Sequence, residues 1–267
     1  MMLSTNPFRA LSLACMASLA FTAGCQSHDA SEHGSEGNTS SESSGSGVKS
    51  LPALHVVLTW ESRRNGENLE RKNYQAKLDA CRGSGMPTRA LSVAEEAKLG
   101  TGEVEIMIDA HRQFAHQVSW TLGADGDTGQ TACLIKLEEH IDKDAIDNAD
   151  GMYMAIDSDT RAQDRQTVQA TGWTLAGDGQ IKGQPCTRWQ NGRQEVCMWS
   201  GGTRWGFSES PADVASCTID GAGAYLQAIP LDAKPLQGGN GCVLQVRSFS
   251  LGNGLIPSNV AGEKEEN

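Results

Sequence analysis

Six histidines and 33 acidic residues supply groups for acid–base or metal chemistry, provided that their spacing brings them together. His111 and His116 lie five apart, on opposite faces of either a strand or a helix, so one element cannot aim both at a metal. His140 and Asp144 share a helical face at i, i+4, yet without a third ligand nearby they read as a solvated polar stripe. Between Ile146 and Gly151 the residues Asn148, Asp150 and Gly151 have EF-hand spacing. Ile146, however, stands where that loop needs Asp, and Asp157 where it needs Glu. Gly221-Ala-Gly223 lacks the third glycine of a dinucleotide loop, and neither Gly-x-Ser-x-Gly nor His-Glu-x-x-His occurs. An enzyme built on this chain would have to assemble its site from distant residues, with Asp109, His111, His116 and Glu138 as contributors. The sequence calls for no metal and no cofactor.

Cysteines give a firmer pattern. Six of them, at 81, 133, 186, 197, 217 and 242, fall in the part of the chain able to fold, and no Cys-x-x-Cys pair is among them. That argues for disulfides rather than a redox pair or a zinc ribbon. A two-residue turn at Asn191-Gly192 pairs Arg188 with Glu195 and brings Cys186 opposite Cys197, so these two are expected to be bridged. For the other four, 81 with 133 and 217 with 242 is the first choice among three pairings. The same register sets Trp189 on the face of Val196 and Met198. A further turn at Gly201-Gly202 adds a third strand carrying Trp205 and Phe207. These five side chains are most simply core, and otherwise line an apolar ligand cavity.

Elements that could position such residues are mostly strands. Leu54, Val56, Leu58 and Trp60 alternate with polar neighbours, and a three-residue loop at Arg64-Asn65-Gly66 is expected to return the chain as a strand through Tyr74, Ala76 and Leu78. Further strands are expected at 103–109, 117–122, 152–157, 172–175 and 242–251. Helices are few. Ser92-Val-Ala-Glu95 is a capping box for a short helix that Gly100 should stop, Leu134, Leu137 and Ile141 suggest a second, and Ser210-Pro211 a third. The expected fold is mainly β, a large curved antiparallel sheet or half-barrel with a few short helices, stapled by disulfides. One β-rich domain should span 51–257, with 258–267 a polar tail.

The N-terminus says where such a domain would live. Arg9 precedes the apolar or small residues Ala10 to Ala23, too short a run to span a bilayer, and the segment ends Thr22-Ala23-Gly24-Cys25. This resembles the lipobox of bacterial lipoproteins. The resemblance implies that 1–24 is a signal peptide, with Cys15 inside the discarded stretch, and that Cys25 becomes the acylated N-terminus. Ordinary signal cleavage is the alternative. Gln26 after the cysteine resembles the sorting signal for the outer membrane. Residues 26–50 contain 9 Ser and 4 Gly in 25 positions and act as a flexible tether, in which His28 and His33 are spacers. Within the domain, Ile181-Lys-Gly183-Gln-Pro-Cys186-Thr-Arg-Trp189 resembles a strand of the LolA/LolB-like half-barrel proteins. No functional residue carries over from that resemblance.

A net charge of -11 without a basic run excludes nucleic-acid binding through phosphates. The expected protein is a lipid-anchored envelope lipoprotein, a non-catalytic binding or scaffold module facing an envelope protein or an apolar ligand. An envelope hydrolase is the alternative.

Overall fold

The computed structural model describes residues 51–124, 132–147, 154–211, 226–236 and 238–252. Their framework is a nine-stranded antiparallel sheet that does not close. In chain order the elements are β1 (Leu54–Arg63), α1 (Leu69–Ser84), α2 (Val93–Lys98), β2 (Thr101–Ile108), β3 (Arg112–Ala124), β4 (Ile135–Asp147) and α3 (Ser158–Ala170). Then come β5 (Thr174–Ile181), β6 (Gln184–Gln190), β7 (Gln194–Trp199), β8 (Pro230–Pro235) and β9 (Gly241–Leu251). Across the sheet the order is β4-β3-β2-β1-β9-β8-β7-β6-β5. The mainly β class and the expected strands β2, β3, β5 and β9 are therefore present, with boundaries shifted by a few residues.

Alternation explains the centre. Leu54, Val56 and Leu58 of β1 are fully buried and stand opposite Ile108, Ile106 and Val104 of β2, so both strands turn their even-numbered residues to the main core. On the other side β1 pairs with β9, whose Leu244 and Val246 join the same cluster. The odd-numbered residues of β1 and β2, among them His55, Glu61, Glu103 and Glu105, lie on the opposite face.

Two expected elements change type. Residues Tyr74 to Leu78 belong to α1, not to a strand. Asn65 and Gly66 both take positive φ (52° and 78°) in a two-residue turn closed between Arg64 and Glu67. Asn68 then caps a helix by accepting the Arg71 N–H at 3.0 Å. Tyr74, Leu78 and Cys81, at i, i+4 and i+7, form its buried stripe, and the first two pack with Leu91, Leu99 and Ile135. Conversely, the stretch with Leu134, Leu137 and Ile141 is strand β4, not a helix. Thirteen residues pair with β3, and Ile135, Leu137 and Ile141 share a face at period two. The helix from Ser92 forms with its full capping box, and Gly100 follows it at φ 65°.

The third strand of the expected meander is absent. Thr203–Trp205 is a single 3-10 turn, and the neighbour of β7 is β8. Of the stretch 152–157, residues 154–157 are non-regular chain leading to Asp157, the cap of α3, while 152 and 153 lie outside the described residues, as do the helix expected beyond Pro211 and the Gly221-Ala-Gly223 turn.

Cys81 bonds Cys133 and Cys186 bonds Cys197, with Cα separations of 5.6 and 5.4 Å. The second bridge forms in a register two residues away from the expected one, with Arg188 opposite Cys197 and Cys186 opposite Trp199. Asn191 is the cause. Its side-chain oxygen accepts from Arg193 N–H (2.9 Å) and Gln194 N–H (2.8 Å), so Asn191 opens the turn instead of occupying its centre. Cys242 is also disulfide-bonded, while Cys217, its expected partner, lies outside the described residues.

Candidate functional site

Trp189, Val196, Met198, Trp205 and Phe207 do come together, all buried in the main core cluster. Trp189 and Val196 face each other across β6 and β7, and the 3-10 turn folds Trp205 and Phe207 onto Trp199 at ring separations of 6.2 and 5.4 Å. Trp199 is the member that the sequence reading missed. No periodicity marks it, because the β7 ladder shifts register between Cys197 and Met198, which reorients the strand end. The indole N–H groups of Trp199 and Trp205 are buried without a hydrogen-bond partner.

Behind this cluster sits a carboxylate that spacing could not reveal. Glu209 is 5% exposed. It accepts from Arg165 Nε of α3 at 2.7 Å and from the buried Thr187 hydroxyl of β6 at 2.9 Å, while its backbone carbonyl accepts Trp189 Nε1–H at 2.8 Å. Every one of these bonds joins separate elements, so the group holds α3 and the segment after the 3-10 turn against the sheet.

The titratable residues expected to serve an enzyme are apart. Asp109 accepts from the N–H groups of His111 (2.7 Å) and Arg112 (2.8 Å), closing the turn between β2 and β3. His116 stands in β3 opposite Glu105 and Lys143, with Nε2 buried and unpaired. Glu138 on β4 stands opposite Thr121 and within 3.4 Å of Lys136. From Arg112 to Thr121 is nine residues of extended strand, about 30 Å, which separates Glu138 from the Asp109–His111 turn. His140 and Asp144 are not helical neighbours either. Four residues apart on a strand they are about 14 Å from each other, and His140 instead meets the Thr121 hydroxyl at 2.7 Å. Among the described residues no group of three His, Cys, Asp or Glu side chains is placed to hold a metal ion.

No protein-family model, curated protein or solved structure matches this chain.

What the described surface offers to a partner is the polar face of the sheet. His55 meets Glu105 at 2.8 Å and Arg247 pairs with Glu103. Glu195 receives both Arg188 (3.0 Å) and Lys234 (3.2 Å). Next to that trio, on β8 and opposite Cys197, stands Asp232. Burial pushes its carboxyl above the ordinary range, and Glu195 adds to the rise, against the pull of Lys234 and Arg188. At the far end, Glu61 accepts from Asn68 and Arg63 and pairs with Arg71. Burial there acts to raise its pKa, but those hydrogen bonds and the two guanidinium charges outweigh it and lower the value. The arrangement is a row of mostly compensated charges, suited to hydrogen bonding with a polar partner.

Proposed function

We propose that the protein is a lipid-anchored module of the bacterial cell envelope, held by Cys25 on a Ser/Gly tether at the outer membrane and acting by binding or scaffolding. The observation that carries the reading is that all five described cysteines are disulfide-bonded, a state that an oxidising compartment sustains and a reducing cytosol does not. It agrees with the export and lipobox pattern ending at Cys25. No helix among the described residues is long and apolar enough to cross a membrane. Binding is favoured over catalysis because the acids and histidines are spread along the strands, whereas the polar face presents charges from six adjacent strands, β2 to β6 by way of β1, β9, β8 and β7. An apolar ligand is the weaker option, since the five residues that would line its site are closed to solvent.

The test is fractionation with intact-mass analysis of the full chain and of Cys25→Ala. The wild-type protein should partition with membranes and begin at an acylated Cys25, and the variant should be released. A mature chain that starts elsewhere without lipid overturns the anchor.

A further inference from the structure

We propose that β4 is a self-association edge, through which two copies of the chain pair antiparallel about a twofold axis at Ile141. This goes beyond the anchoring proposal and does not depend on it. β4 is the outermost strand of the sheet, bonded to β3 over all thirteen of its residues. Ile135 N–H is bonded to Arg89 O at 3.3 Å on the outer side, and from Leu137 onward that side presents about 35 Å of backbone donors and acceptors, the feature by which sheets recruit another strand. Charged side chains usually keep such an edge from pairing, so their order along the strand decides the outcome.

That order is self-complementary. Ile141 is the midpoint of Ile135–Asp147 and, at 56% exposed, the most exposed large apolar side chain on the strand. Antiparallel overlap of residues 137–145 with the same residues of a second copy puts Ile141 opposite its own copy. It also sets Glu139 opposite Lys143 twice, His140 opposite Asp142 twice and Leu137 opposite Ala145 twice, all as same-face neighbours. Only Glu138 against Asp144 is unfavourable. Moving the overlap by two residues, the smallest shift that keeps outward backbone groups paired, sets Glu138 against Asp142 or Asp142 against its own copy and in both cases loses the Glu139–Lys143 pairs, so the charges select the centred register.

β5, at the other edge, is a poorer candidate. It has eight residues, its ladder to β6 is interrupted between Leu175 and Gly177, and Gly177 sits at φ 111°, a bulge that turns the strand away from a partner. Pairing of β4 with β4 is also isologous, so it closes at two copies, whereas β4 on β5 would run on as a filament.

The experiment is cross-linking in the full chain in whole cells, whichever fraction the chain occupies. In Ile141→Cys the two new thiols lie on the axis at a separation that a disulfide tolerates, so mild oxidation should give a dimer on a non-reducing gel. Val93→Cys, 88% exposed on α2, reports random collision. In the Ile141→Cys background, Glu139→Lys alone or Lys143→Glu alone should slow cross-linking by about tenfold, because each repulsion occurs twice, and the double reversal should restore it to within about threefold. Cross-linking no faster than that of Val93→Cys overturns the proposal. So does cross-linking that ignores both single reversals, or a double reversal that fails to rescue.

Discussion

Replacing Glu209 by Ala takes a carboxylate out of a closed interior and leaves its two side-chain donors behind. The Thr187 hydroxyl is buried and finds no water, so its lost acceptor costs roughly 1–3 kcal/mol. Arg165 is different: at 37% side-chain exposure its guanidinium can rehydrate, and its share of the ion pair is discounted to about 1 kcal/mol. The expected loss is about 3 kcal/mol, a fall in Tm of roughly 6–12 °C for a domain of this size. Urea unfolding under oxidising conditions, with the disulfides intact, measures it. A second substitution separates the causes. Thr187→Val should destabilise the wild type, yet stabilise Glu209→Ala, because it removes the stranded hydroxyl. A loss below about 1 kcal/mol for Glu209→Ala, or no rescue by Thr187→Val, would refute the reasoning that this carboxylate locks α3 to the sheet.

The two described disulfides should rank by the loops they close. Removing Cys81–Cys133, 52 residues apart, should cost about 4 kcal/mol, and Cys186–Cys197, 11 apart, about 3 kcal/mol, read from denaturant midpoints of the paired Cys→Ala variants. Asp232 and Glu61 should bend the pH dependence in opposite directions. The folded chain keeps the Asp232 proton above the ordinary value of 3.8, so stability falls as pH rises through that window, and Asp232→Asn should be the more stable protein at neutral pH. Glu61 is depressed, so its contribution is present above its ordinary value of 4.5 and is lost as pH falls through the folded value. Glu61→Gln should therefore lose stability at neutral pH and little in acid, as Tm between about pH 3 and pH 7 would show. At Gly102 an added Cβ would meet Val118 O at 2.6 Å as well as the Trp60 ring, so Gly102→Ala should cost roughly 1–3 kcal/mol in the same unfolding assay.

What could be read from the sequence follows from how local each determinant is. Strands β1, β2 and β9 were legible because a buried face on one side writes a period of two into the residues themselves. In α1, two periods coexist: Tyr74, Ala76 and Leu78 alternate, while Tyr74, Leu78 and Cys81 repeat as a helix. Asn68, six residues upstream of Tyr74, decides between them through its cap. The Cys186–Cys197 bridge was legible although the register was not. A shift of two residues preserves the face of every side chain and keeps the cysteines within reach, so the pairing tolerated an error in the turn. Glu209 left no local trace, since Arg165 and Thr187 lie 44 and 22 residues away and only the assembled sheet brings them together.

The staples and the central pairing divide the work of holding an open sheet. A strand next to an edge is supported from one side and opens more readily than a central one. The described disulfides fall toward those ends: Cys133 lies two residues before β4 and ties it to α1, and Cys186–Cys197 joins β6 to β7, beside the edge strand β5. At the centre β1 itself carries no cysteine, although Cys242 on its neighbour β9 is disulfide-bonded. β1 is bonded on both sides, to β2 from Leu54 to Glu61 and to β9 from Leu54 to Arg63. β1 is also the first strand after the proposed tether. Force entering the domain from its N-terminal side would therefore meet β1, where ladders on both flanks have to give way, before it reached an edge strand held by one.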